Sequence, residues 1–208
     1  MLAKFAHEDS LLACATSDGY VRIYNLLKNT KIAELNTNVK DKESNSNTPV
    51  NALRWRPASE KLESMGAVVL AANTNGHLFQ FLAKTGKQLW HSVETDNQIF
   101  AIDYAQDGRY FATAGKDNTI RIYDEETKKT SHSLKGELRH KTGHNNRIFA
   151  VKFKSDNHSL LVSGGWDQNV QSFKSGCTSG IYESERLHIR SMGRESQEIL
   201  LTSEMTSF

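Results

Sequence analysis

The chain has 208 residues, 38% of them hydrophobic and 24% charged, which is the balance of a globular protein and not of a disordered or membrane one. Lys and Arg total 26 against 24 Asp and Glu, a net charge of +2, so no strong basic field exists to gather phosphate backbones, and nucleic acid is not expected as a main partner. The two cysteines, Cys14 and Cys177, lie far apart in no Cys-x-x-Cys spacing, which fits reduced thiols and excludes a finger-type zinc site.

At the N-terminus, MLAKFAHEDSLLACATSDG, residues His7, Glu8 and Asp9 interrupt the apolar run before it reaches the about 7 to 15 residues of a signal peptide. The longest uncharged apolar run, GAVVLAA around Val69, falls far short of the about 20 residues that would span a bilayer. These features predict a soluble intracellular protein, cytoplasmic, with nucleus and cilium left open, and no membrane partner.

Helical periodicity is scarce. What recurs along the chain is an alternating run, a Gly/Ser/Asn/Asp turn and a second alternating run ending on an aromatic, which predicts hairpins. The copies are LLACATSDGYVRIYN from Leu11, VVLAANTNGHLFQFL from Val68, YFATAGKDNTIRIYD from Tyr110 and LLVSGGWDQNVQSFK from Leu160. A β-type segment precedes each: AKFAHED from Ala3, VNALRWRP from Val50, IFAIDYAQDG from Ile99 and IFAVKFKSDN from Ile148. In the last two, strict alternation puts Ile99, Ala101 and Asp103 opposite Phe100, Ile102 and Tyr104, and Ile148, Ala150 and Lys152 opposite Phe149, Val151 and Phe153. Both faces being mostly apolar, these strands are predicted to be central. A more polar fourth strand follows most hairpins: TKIAEL from Thr30, GKQLWHS from Gly86 and KKTSHSL from Lys128.

The unit is therefore a four-stranded meander. Its turn marker recurs at Asp18, Asn75, Asp117 and Asp167, close to the about 40 to 45 residues of a four-stranded propeller blade plus insertions. The fourth copy, TGHNNRIFAVKFKSDNHSLLVSGGWDQNVQSF from Thr142, resembles the WD-repeat family through Gly143-His144, Ser163-Gly164 and Asp167. The third, DGRYFATAGKDNTIRIYDEETKK from Asp107, is similar to it and ends in Tyr123-Asp124 where the family has Trp-Asp.

The resemblance implies an all-β propeller of about four four-stranded blades, over roughly 1–36, 48–92, 98–135 and 142–173. It also implies a buried hydrogen-bonded set of His144, Ser163 and Asp167, with Asp117 and Asp18 as the corresponding turn acids. Tyr24, Phe81, Tyr123 and Phe173 replace the family's indole, and Ser46 and Thr95 stand where copies two and three would carry the His, so the network is expected to be partial.

Two polar insertions, NTNVKDKESNSNT from Asn36 and GELRHKTGHNN from Gly136, join outer to inner strands and, by the resemblance, lie on the top face where partners dock. After Phe173 the pattern breaks. Residues 174–208 are expected to be an irregular tail with one strand near 198–203. The family usually closes with seven blades and four-bladed closed propellers exist, but the tail lacks the alternation of a closing strand, so an open arc is expected.

Family geometry places function at the residue before each turn acid, Ser17, Thr74, Lys116 and Trp166, and at the start of each inner strand, Pro49, Gln98 and Arg147 followed by Asn51, Phe100 and Phe149. Trp and Arg are enriched at interface hot spots. The candidate partner-binding residues are accordingly Trp166, Arg147, Phe149, Phe100, Lys116 and Gln98. The competing reading is that Trp166 packs against a neighbouring blade's loop.

His140 and His144 lie four apart in a Gly-containing loop, not on a helix face, so no metal site is expected. The sequence contains no G-x-x-x-x-G-K-[ST], G-x-S-x-G or G-x-G-x-x-G, and the acids recur once per copy as turn residues do, so neither an enzyme nor a cofactor is expected. The basic stretch Leu138–Lys141 reads as a solvated loop.

The expected function is that of a non-enzymatic scaffold binding proteins of a multi-subunit complex through the top face. The alternative is a propeller segment without independent activity that needs further blades or a partner subunit.

Overall fold

The computed structural model describes residues 2–6, 10–39, 47–58, 66–136, 143–155, 157–175 and 182–187. They form four antiparallel four-stranded sheets, each a meander in chain order. The first sheet holds β1 (Leu2–Phe5), β2 (Leu11–Ala15), β3 (Tyr20–Asn25) and β4 (Thr30–Asn36). The second holds β5 (Val50–Trp55), β6 (Val68–Asn73), β7 (His77–Leu82) and β8 (Gln88–Val93). The third holds β9 (Ile99–Tyr104), β10 (Tyr110–Gly115), β11 (Thr119–Asp124) and β12 (Thr130–Lys135). The fourth holds β13 (Ile148–Lys154), β14 (Asn157–Gly165), β15 (Val170–Ser175) and β16 (Tyr182–Leu187).

The blades stack as an arc because neighbouring sheets turn apolar faces to one another, the second and third sheets on both sides. Ala13, Val21, Ile23 and Leu35 of the first sheet pack against Leu53, Val69, Phe79 and Phe81 of the second. The opposite face of the second, with Leu70, Ala72 and Leu78, meets Ile99, Ile102, Phe111 and Tyr123 of the third. Ala112, Ala114, Ile120 and Ile122, on the far side of the third, meet Ile148, Val151, Phe153, Leu161 and Phe173 of the fourth. Period-2 alternation thus sends Phe111 to one interface and Ala112 to the next. Among the described residues no such core joins the first and fourth sheets.

One compensated set of buried charges lies between the second and third sheets. The Glu125 carboxylate accepts from Arg56 Nη1 (3.3 Å), Lys128 Nζ (2.6 Å) and Gln80 Nε2 (2.8 Å). Gln80 Nε2 also donates to the Tyr104 hydroxyl at 2.9 Å. Burial, and then the charge of Glu125, pushes the Tyr104 phenol well above its usual pKa. Among the described residues no buried side-chain nitrogen or oxygen lacks a partner.

Two expectations change. The pattern does not end at Phe173: β15 runs on to Ser175, and β16 pairs with it, Phe173 opposite Ser184. An outer strand has one paired edge and needs little apolar alternation, so YESERL carries no visible strand signal. Residues 198–203 lie outside the described residues.

The second change concerns alternation in the inner strands. A register shift falls at Asn51, Phe100 and Phe149 in the second, third and fourth sheets. One extra residue resets the phase. Ile148, Val151 and Phe153 are therefore buried together, while Phe149 turns outward.

Candidate functional site

The hairpin turns fix the top of each blade. The three turn acids each accept the backbone N–H two residues on: Tyr20 to Asp18 and Thr119 to Asp117, both at 3.2 Å, and Asn169 to Asp167 at 3.2 Å. Gly19, Gly76, Asn118 and Gln168 follow in the left-handed region that this turn demands. In the second sheet Asn73 supplies the acceptor, taking the N–H of Asn75 (3.1 Å) and His77 (3.0 Å).

In the fourth sheet the buried His144 ring stands between two partners. Nδ1 lies 2.9 Å from Asp167 Oδ1, and Nε2 lies 2.7 Å from Ser163 Oγ. Burial alone would raise the Asp167 pKa, but hydrogen bonds from His144 and Asn169 outweigh it and hold the carboxyl below its usual range.

The third sheet builds the same joint from a residue that the sequence comparison of copies passes over. Thr95, aligned with the missing His, is exposed, and its neighbour Glu94 turns inward. The Glu94 carboxylate accepts from Thr113 Oγ1 (2.5 Å), Tyr123 OH (2.9 Å), Asn97 Nδ2 (2.6 Å) and Arg121 Nη1 (3.1 Å). Arg121 Nη2 then reaches Asp117 Oδ2, closing the chain of contacts. The signal available beforehand was the conjunction of a Glu one residue off register with an unexplained strand Arg. Arg22 in the first sheet repeats that half, pairing with Asp18 Oδ2 at 2.7 Å. Ser46 lies outside the described residues, as does His140.

These joints seat a continuous aromatic ridge. The Phe100 and Phe149 rings stack at 4.8 Å between centroids, across the gap between the third and fourth sheets. Phe149 meets Trp166 at 5.2 Å, and the Arg147 guanidinium lies 5.2 Å above the Trp166 ring, a cation–π distance. Trp166 is 62% exposed and Phe149 41%. The bulges are what re-aim both phenylalanines.

Gly165 allows the Trp166 N–H to reach Arg147 O at 2.8 Å, since a Cβ there would come within 2.7 Å of that oxygen. Gly115 does the same for Lys116 and Gln98, which meet through the backbone at 3.0 Å. The structure thus gathers Phe100, Phe149, Trp166 and Arg147 in one patch and places Lys116 and Gln98, both exposed, at the corresponding point of the third blade. Trp166 does not lie under a neighbouring loop of the described residues; its ring is open to solvent.

A four-bladed stack of meanders with this turn chemistry defines a class, and comparison with known proteins agrees with it. Residues 68–155 match the family model of the anaphase-promoting complex subunit 4 WD40 domain. The chain is 35% identical over 79 residues to eukaryotic translation initiation factor 3 subunit I of Taeniopygia guttata, covering 38% of this chain and 22% of that protein. It is 29% identical over 126 residues to the Homo sapiens subunit, covering 60% and 36%. A chain of the crystal structure of the mitotic checkpoint complex superimposes with a TM-score of 0.68 at 18% identity, over 89% of this chain and 53% of the other. The chain has the fold of a WD-repeat β-propeller and is similar to that family over the matched residues. It spans between about a fifth and about a third of the length of these curated relatives.

Proposed function

We propose that the chain is a protein-interaction scaffold whose docking surface is the Phe100–Phe149–Trp166–Arg147 ridge. The carrying observation is a run of three aromatic rings, the half-buried Phe100 on Phe149 and Phe149 on Trp166, the last two exposed, on a face held by hydrogen-bonded turns. Exposed aromatics cost free energy unless a partner covers them, and clustered Trp and Arg are the side chains that dominate binding energies. The rigid β frame presents them with little ordering cost on association. Lys116 and Gln98 form the polar rim on the neighbouring blade. The curated relatives are named as subunits of a multi-subunit assembly, which supports a protein partner within a complex. No step of this reading calls for a bound cofactor or a reaction.

The test compares wild type with Trp166→Ala in co-purification, with melting curves measured on both. Loss of associated protein with an unchanged melting curve is the expected result. Retention of the same partners at the same yield would overturn the assignment of this face.

A further inference from the structure

The inner strands carry a second convergent pattern at their opposite ends. Lys4, Arg54, Asp103 and Lys152 occupy one equivalent position, because their cross-strand partners Ala13, Leu70, Ala112 and Val162 each stand five residues ahead of the turn acid or amide. Three cations and one carboxylate therefore face the common axis. Asp103 is 2% exposed and accepts from Arg54 Nε at 3.0 Å, Lys152 Nζ at 2.9 Å and the Phe153 N–H at 3.0 Å.

One buried carboxylate cannot neutralise all three. The Lys4 ammonium is held below the usual lysine pKa, chiefly by the charge of Arg54, then by burial and by Lys152, with Asp103 opposing. Between these side chains opens a cleft of about 480 Å³, walled by Trp55 and Phe153. The Lys152 side chain is 69% exposed, although its ammonium touches Asp103. A structural ion pair would need one cation; here two positive charges remain.

We propose that this axial cleft binds a phosphate-type dianion, gripped by Lys4, Arg54 and Lys152, with Asp103 holding the latter two in place. A phosphate ester carries about −1.5 to −2 charge near neutral pH, which matches the two uncompensated cations, whereas a single carboxylate does not. Arg offers a planar fork for phosphate oxygens, and the two Lys residues act as point charges. The cleft lies five residues along β13 from Arg147, roughly 16 Å from the start of the aromatic ridge, so it stands or falls independently of the docking surface.

The full chain is titrated with inorganic phosphate, with phosphoserine and with acetate at constant ionic strength, reading melting temperature and ³¹P line broadening. Saturable binding of phosphate or phosphoserine, weakened about tenfold in Lys4→Gln and Lys152→Gln, retained in Lys4→Arg and unchanged in Lys87→Gln, is the expected result. The tighter of the two phosphates identifies a free ion or an ester as the source. Should Lys152→Gln lower the melting temperature by releasing Asp103, Lys4→Gln decides alone. Absence of saturation, an equal response to acetate, or indifference to Lys4→Gln would overturn the proposal.

Discussion

Replacing Glu94 by Ala removes the acceptor at the centre of the third blade. Thr113, fully buried, and Asn97, 3% exposed, lose the carboxylate they donate to, and the buried Tyr123 hydroxyl loses a partner as well. Leaving a buried donor unsatisfied costs about 1 to 3 kcal/mol. Arg121 is spared in part, because it keeps Asp117 and is 23% exposed. The losses are not additive within one network, so the expected destabilisation is about 3 to 5 kcal/mol, a large share of a stability of about 5 to 15 kcal/mol.

Glu94→Gln keeps the shape but turns an amide toward the donors Asn97 and Arg121, and should cost roughly 2 kcal/mol. Urea unfolding followed by circular dichroism reads both, with a midpoint shift of about 2 M for the Ala variant at a slope of roughly 2 kcal/mol/M. A shift below about 0.3 M for Glu94→Ala would refute the idea that Glu94 replaces the missing His.

Trp55→Phe removes the indole donor to Lys4 O (2.8 Å), a bond between the first two blades, and should lower stability by about 1 kcal/mol in the same assay. The Asp167 and Asp124 carboxyls lie below their usual pKa in the folded chain: at Asp124 the backbone N–H of Thr127 is the chief cause, and at Asp167 the hydrogen bonds overcome burial. Their stabilisation is therefore complete above the unfolded value, about 3.9, and is lost as pH falls through the folded values. Melting temperature should drop steeply below pH about 4, and less so in Asp167→Asn, measured against that variant's own neutral-pH value. Tyr104 and Tyr123 are buried with raised phenol pKa values, so ultraviolet titration should find both still protonated at pH about 11, where exposed phenols near 10 have ionised. Ionisation of all tyrosines together below that pH in the folded chain would contradict their burial.

The blades were legible because they are local. Alternation on either side of an Asx turn needs only neighbouring residues, and LLVSGGWDQNVQSF or YFATAGKDNTIRIYD specifies strand, turn and strand without reference to the rest of the chain. The resemblance to the WD-repeat family implied His144, Ser163 and Asp167 as a set, and the structure places them within hydrogen-bonding distance. The polar strand β16 escaped because an edge strand leaves little mark on composition. Glu94 escaped because its role is defined by Thr113, Asn97 and Arg121 on other elements, not by its own neighbours.

The bulges at Phe100 and Phe149 are likewise invisible to a strict period of 2, yet they decide which aromatics reach solvent. Sequence alone determined the repeat, its hairpin strands and the turn acids, since these follow from backbone preference and side-chain alternation. Tertiary structure decided the stacking of Phe100 on Phe149 and the convergence of Lys4, Arg54 and Lys152 on Asp103, because both depend on the packing angle between successive blades. That angle is set by the fit of small against large residues across three interfaces, a property of pairs of sheets that no single repeat contains.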